Sequence, residues 1–150
     1  MLHWIIDCEW YHVGNDIYPV EISLLRVEDT SICHTYYVYY PTNYYNNLTT
    51  QWQHNSHGLT WTEGDSRLCE VIWKMHQHVH GGDVIYVKGG EKSKLVSKWF
   101  PKVVEVVEIT TAPAYGEISH SCLKETCSKH AHDTGLSCAR RKAFKLLPYV

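Results

Sequence analysis

The chain has no excess of charge of either sign: 14 Lys and Arg against 16 Asp and Glu leave a formal −2 over 150 residues. A molecule so balanced has no whole-body attraction to nucleic acid or to an acidic membrane, so any polyanion site must be local. It also lacks an apolar run approaching the ~20 residues of a spanning helix, and no membrane partner is expected. The opening MLHWIIDCEW has no basic segment and continues into Asp7 and Glu9, which is not the pattern of a secretory leader. An intracellular location, cytoplasm or nucleus, is therefore expected, with the sequon at Asn47-Leu48-Thr49 unused. Six cysteines in that setting point to a reducing compartment, where clustered cysteines are more often metal ligands than disulfides. Cys8 and Cys69 have apolar neighbours and are expected as buried thiols. No repeat, low-complexity tract or linker interrupts the chain. With 44% hydrophobic and 20% charged residues, 1–150 reads as one globular domain.

Three extended segments open the chain: 2–7 (LHWIID), 17–27 (IYPVEISLLRV) and 31–40 (SICHTYYVYY), separated by Gly14-Asn15-Asp16 and Glu28-Asp29 and closed by Pro41. β-Branched and aromatic residues favour strands, and turns this short join them into an antiparallel meander. Residues 42–64, rich in Asn, Thr, Gln and Trp, are weakly periodic and admit one helix or a loop. Leu68, Val71, Ile72, Met75 and Val79 recur at the spacing of one helical face, with Ser66 as N-cap and Gly81-Gly82 as the stop. Segments 83–88, 90–100 and 103–109 read as strand, helix and strand. A loop covers 110–135, and a last helix carries Leu136, Ala139, Ala143, Leu146 and Leu147 on one stripe. The order β-β-β-α-α-β-α-β-α implies a mixed α/β architecture, a five-stranded sheet flanked by helices, which is how ribonuclease H-like nucleases are built.

The densest chemistry lies near the C-terminus. Cys127 and His130, then Cys138, form C-x2-H-x7-C running into the last helix. Two thiols and an imidazole at this spacing can face one point, and zinc wants about four such ligands in a tetrahedron. A fourth ligand must come from elsewhere, and His54, His57 and His132 are histidine candidates for the set. At the other end of the chain, Asp7 and Glu9 close the first extended segment. Alternation puts them on one side, where two carboxylates suit a shared magnesium or manganese ion. The plain alternative is an exposed acidic strand end.

Ile6-Asp7-Cys8-Glu9 resembles the first motif of the DEDD-type 3′–5′ exonucleases, whose paired carboxylates bind two metal ions that activate water and stabilise the leaving oxygen. That resemblance implies catalytic Asp7 and Glu9, with His132 as general base. The family's second Asp has no counterpart in Val87-Lys88-Gly89-Gly90-Glu91. Beyond His132 and Asp133, Ser137-Cys138-Ala139 stands where the last metal-binding Asp belongs. Pro19-Val20-Glu21-Ile22, Cys127-x2-His130 and Cys138-Ala139 together resemble the Maelstrom domain, a ribonuclease H-like side branch marked by a Glu-Cys-His-Cys zinc site. Such domains occur in piRNA-pathway proteins and related viral or transposon-borne proteins. This resemblance implies a structural zinc held by Glu21, Cys127, His130 and Cys138. A lone carboxylate in an apolar strand demands compensation, which a metal ion supplies; an ion pair to Arg140 or Arg141 would serve as well.

The resulting expectation is a zinc-stabilised ribonuclease H-like domain that binds or cleaves single-stranded RNA, by endonucleolytic cutting if it cleaves. The alternatives are a divalent-metal 3′–5′ exonuclease acting on RNA or DNA through Asp7 and Glu9, and a catalytically inactive interaction module. Tyr36, Tyr37, Tyr39, Tyr40, Tyr44 and Tyr45 with Trp52 and Trp61 can form a base-stacking surface or simply a core. Arg140, Arg141, Lys142 and Lys145 read as a solvated helix face or as a local polyanion site.

Overall fold

The computed structural model describes residues 1–42, 47–101, 104–118 and 138–150. Its strands are β1 (His3–Val13), β2 (Asp16–Arg26), β3 (Cys33–Tyr37), β4 (Val84–Lys88) and β5 (Glu105–Ile109). The helices are α1 (Leu48–His57), α2 (Leu68–His76), α3 (Gly90–Trp99) and α4 (Ala139–Lys145), with 3₁₀ turns at Tyr115–Glu117 and Leu147–Tyr149. One mixed sheet runs in the order β3-β2-β1-β4-β5. Its first three strands are antiparallel, while β4 is parallel to both β1 and β5. The expected order of elements holds, and residues 48–57 resolve the helix-or-loop alternative as a helix.

β1 does not end at Asp7. Residues 8–13 continue against β2 down to a two-residue hairpin at Gly14-Asn15, where Val13 pairs with Asp16 and Gly14 takes φ +61°. Glycine adopts that left-handed conformation without a Cβ penalty. Asp7 and Glu9 therefore lie mid-strand. The ladder slips between Glu9, which pairs with Glu21, and Trp10, which pairs with Pro19. The irregularity accommodates Pro19, which has no N–H for a continuous ladder.

Side-chain alternation divides the sheet into two faces. Trp4, Ile6, Cys8, Ile22 and Leu24 pack under α2 and α3 with Val71, Met75, Val96 and Trp99. Ile5 and Leu25, on the opposite face, pack with Ala143, Phe144 and Leu146 around α4. Two expectations need correction here. Cys8 is buried but Cys69 is exposed, because it falls on the outer side of α2. Ser66 does not cap α2, since its carbonyl accepts the Tyr39 N–H at 2.7 Å and Arg67 holds the cap position. No helix among the described residues is long and apolar enough to cross a membrane.

Candidate functional site in the crevice between β1 and β4

β1 and β4 pair only over His3–Ile5 and Val84–Tyr86. Beyond Ile5 they part, and their onward connections leave in opposite directions, to β2 and toward β5. Such switch points at the carboxyl ends of parallel strands are where α/β sheets bind ligands. The freed edge of β1 is covered by α1, a helix with little apolar surface. Gln53 Oε1 accepts the His12 N–H at 2.9 Å, and the His57 ring lies 3.3 Å from the Trp10 carbonyl. Unpaired strand groups need such partners once they leave water. Asn47 and Thr50 close a capping box that starts α1.

The α4 face of the sheet carries three carboxylates where apolar residues would be ordinary. Asp7 and Glu21 are fully buried and Glu9 is 7% exposed. Glu9 and Glu21 stand directly across from one another on neighbouring strands, and like charges so placed repel. α4 answers both. Its first amide, Ala139 N–H, donates to Glu21 Oε1 at 2.6 Å. One turn on, Lys142 Nζ lies 2.6 Å from Glu9 Oε1 and 3.3 Å from Asp7 Oδ2.

A second ammonium comes from α3. Gly89, at φ +100°, turns the chain directly from β4 into that helix, and a side chain there would be strained. The turn puts Lys92 in the first turns of α3, with Nζ 2.8 Å from Asp7 Oδ1. Tyr115 donates its hydroxyl to the same oxygen at 2.8 Å. Its ring lies 5.3 Å from Lys92 Nζ and 4.9 Å from Lys142 Nζ, within cation–π range.

The ionisation of this cluster follows from its contacts. Burial opposes the charge on Asp7 more than any other single factor, yet Lys142 and Lys92 together outweigh it and hold the carboxyl below its ordinary 3.8. Glu9 has one ammonium to Asp7's two; burial prevails over Lys142, and its carboxyl rises above 4.5. For Lys142, burial pulls the pKa down, but Asp7 and Glu9 reverse this and keep the amine charged above its ordinary 10.5. Burial, then the Asp7 charge, push the Tyr115 phenol up, so it remains a donor. Cys8, between the two acids, has its thiol raised chiefly by burial and is no nucleophile near neutrality.

This arrangement does not fit a magnesium or manganese ion. Such a cation wants about six oxygen ligands, but Lys92 and Tyr115 engage Asp7 Oδ1, and Lys142 lies against Asp7 Oδ2 and Glu9 Oε1. The proposed zinc set is described only in half. The hydrogen bond from Ala139 sets Glu21 against the start of α4, beside buried Cys138. Two thiols, an imidazole and a carboxylate fit zinc by donor type. Cys127, His130 and His132 lie outside the described residues. No group of three or more metal-binding side chains occurs among the described residues. Arg140 donates to the Cys33 carbonyl at 3.3 Å.

The two histidines of α1 are engaged nearby. His57 Nδ1 accepts the Leu59 N–H at 3.0 Å, and His54 Nδ1 lies 3.1 Å from the Tyr11 hydroxyl. Among the aromatics, Trp61 is core, stacked on Tyr11 at 4.4 Å, and Tyr40 packs beside it. Trp52 is 70% exposed. It walls a cleft of about 220 Å³ with Gln53, Ser56, Lys92, Lys142 and Glu9. Sequence reasoning missed Lys92 and Tyr115 altogether and left Lys142 in a solvated or polyanion-binding helix face. The available signal was the acid pair itself, since carboxylates on a buried strand require cations from somewhere in the chain.

The chain matches no protein-family model and no curated protein.

Proposed function

We propose that this chain is a ribonuclease H-like domain of the Maelstrom type that binds single-stranded RNA in the cleft beneath Trp52, with a structural zinc held by Glu21, Cys127, His130 and Cys138. The observation that carries the binding reading is the cleft itself. An exposed indole lines the cleft together with Lys92, Lys142 and Glu9, the amide of Gln53 and the hydroxyl of Ser56. Base stacking on exposed aromatic rings is one of the ways single strands are held. At 70% exposure, the ring adds nothing to the clusters of the core formed by the described residues. A larger groove of about 590 Å³, lined by His12, Tyr18, Lys94 and Lys98 among others, lies between the β1–β2 hairpin and α3. Asp16 and Glu91 line it as well, so its charge is mixed. With a net charge of −2, and with Lys92 and Lys142 balanced by Asp7 and Glu9, binding rests on stacking at Trp52 and on the polar rim of the cleft.

The zinc reading is supported by a buried carboxylate that meets the segment carrying Cys138. The fold reading is supported by the meander followed by two parallel strands on helical crossovers. Binding without hydrolysis is favoured over the exonuclease alternative because both candidate acids are already held by lysines.

The test is affinity for labelled single-stranded RNA, single-stranded DNA and duplex, in buffer without magnesium and after its addition. Trp52→Ala should weaken single-strand binding by about 1–3 kcal/mol, roughly 5- to 150-fold, without lowering the melting temperature. Equal affinity of wild type and Trp52→Ala, or efficient magnesium-dependent 3′ degradation, would overturn the reading.

A further inference from the structure

We infer that Lys92 and Lys142 are built-in replacements for divalent cations, and that removing them uncovers a site for one hard divalent ion such as Mn²⁺. The inference stands on the cluster alone and is independent of the RNA reading.

Asp7 and Glu9 are alternate residues of one strand, so both carboxylates leave the same face of the sheet. Both are more than nine-tenths buried. That is the disposition of a chelating pair. Asp7 Oδ2 and Glu9 Oε1 have no aligned hydrogen bond, although Lys142 Nζ lies 3.3 and 2.6 Å away. The ammonium meets them as a compact point charge, much as a metal ion would. A second ammonium approaches Asp7 from another helix at 2.8 Å. The two lysines come from α3 and α4, so the sheet brings the acids together and separate helices deliver the cations. Two positive charges balance two negative ones. A further dication would enter against both ammonium groups and would have to displace them from the oxygens it needs.

Replacing both lysines with methionine keeps much of their bulk and deletes only the charges. Glu9, Lys92 and Lys142 line a cleft of about 220 Å³, so deleting the two ammonium groups that separate it from Asp7 would let water ligands reach the acid pair, and hard cations prefer such all-oxygen surroundings.

The experiment is a titration of the 150-residue chain with Mn²⁺, read by loss of the free-ion electron paramagnetic resonance signal, with folding followed by circular dichroism. Lys92→Met/Lys142→Met should bind about one Mn²⁺ per chain at least tenfold more tightly than wild type. Adding Asp7→Asn and Glu9→Gln should abolish that gain. If the lysine variant is unfolded without metal, Mn²⁺ should fold it. The inference is overturned if wild type binds Mn²⁺ as tightly through Asp7 and Glu9. It is equally overturned if the folded variant binds none, or if Mn²⁺ fails to rescue an unfolded one.

Discussion

Lys142→Met, made alone, tests whether one lysine holds α4 onto the sheet. The ammonium serves two carboxylates, but they do not lose equally. Asp7 keeps Lys92 at 2.8 Å and the Tyr115 hydroxyl at 2.8 Å, whereas Glu9 loses its closest cation, at 2.6 Å. Removing one partner of a buried ion pair typically costs about 3–5 kcal/mol. Protonation limits that loss, since each unit by which the Glu9 pKa rises above 4.5 corresponds to about 1.4 kcal/mol. We therefore expect about 3 kcal/mol, toward the lower end of that range. At roughly 2–4 °C per kcal/mol for a chain of this size, the melting temperature should fall by roughly 6–12 °C. The sign of the pH dependence follows. A carboxyl whose folded pKa lies above its unfolded value loses stability as pH rises through that interval, so acidifying toward about pH 5 should recover part of the deficit. Glu9→Gln in the Lys142→Met background should recover most of it, giving a strongly non-additive double-mutant cycle. Urea titration followed by circular dichroism measures each corner. A loss below about 1 kcal/mol, of the size expected for an exposed ion pair, would refute the reasoning. So would a Glu9→Gln substitution that restores nothing.

The same cluster predicts alkaline behaviour. Lys142 has its folded pKa raised above 10.5, so its contribution is fully present below that value and fades as pH rises beyond it. The stability gap between wild type and Lys142→Met should stay open up to about pH 10 and narrow only above 10.5; closure by about pH 9 in urea titrations would count against a buried, charge-compensated amine. For the zinc proposal, Glu21→Gln should lower zinc content and melting temperature together, because binding energy at a structural site is folding energy. Elemental analysis that finds full zinc in that variant would remove Glu21 from the ligand set.

Much of the architecture was legible in the residues because it depends on local pattern. The β-branched and aromatic runs around 17–27 and 31–40 and the helical stripe from Leu68 to Met75 act within a few residues of chain, whereas the expected Gly81-Gly82 stop does not end α2, which closes at His76 with Gln77 as its C-cap. Helix α1 was harder to recognise: it packs through Gln53 and His57 onto a strand edge that exists only where β1 outruns β4. The length of β1 was misjudged for a similar reason. Asp7 and Glu9 look like a strand's polar end in sequence, but they lie mid-strand because α3 and α4 bring cations to them.

By itself the sequence determined the order of elements, the strand alternation that sets Asp7 beside Glu9, and the buried Glu21 in need of a partner. These follow from the periods of strand and helix and from the cost of placing charge among apolar residues. Tertiary structure alone decided which groups meet those carboxylates. Lys92 lies 85 residues from Asp7, and Ala139 lies 118 residues from Glu21. Nothing in either segment's composition distinguishes a solvated lysine from one that closes a buried ion cluster. The difference is made by sheet order and helix packing, which deliver both ammonium groups to the single point where β1 leaves β4.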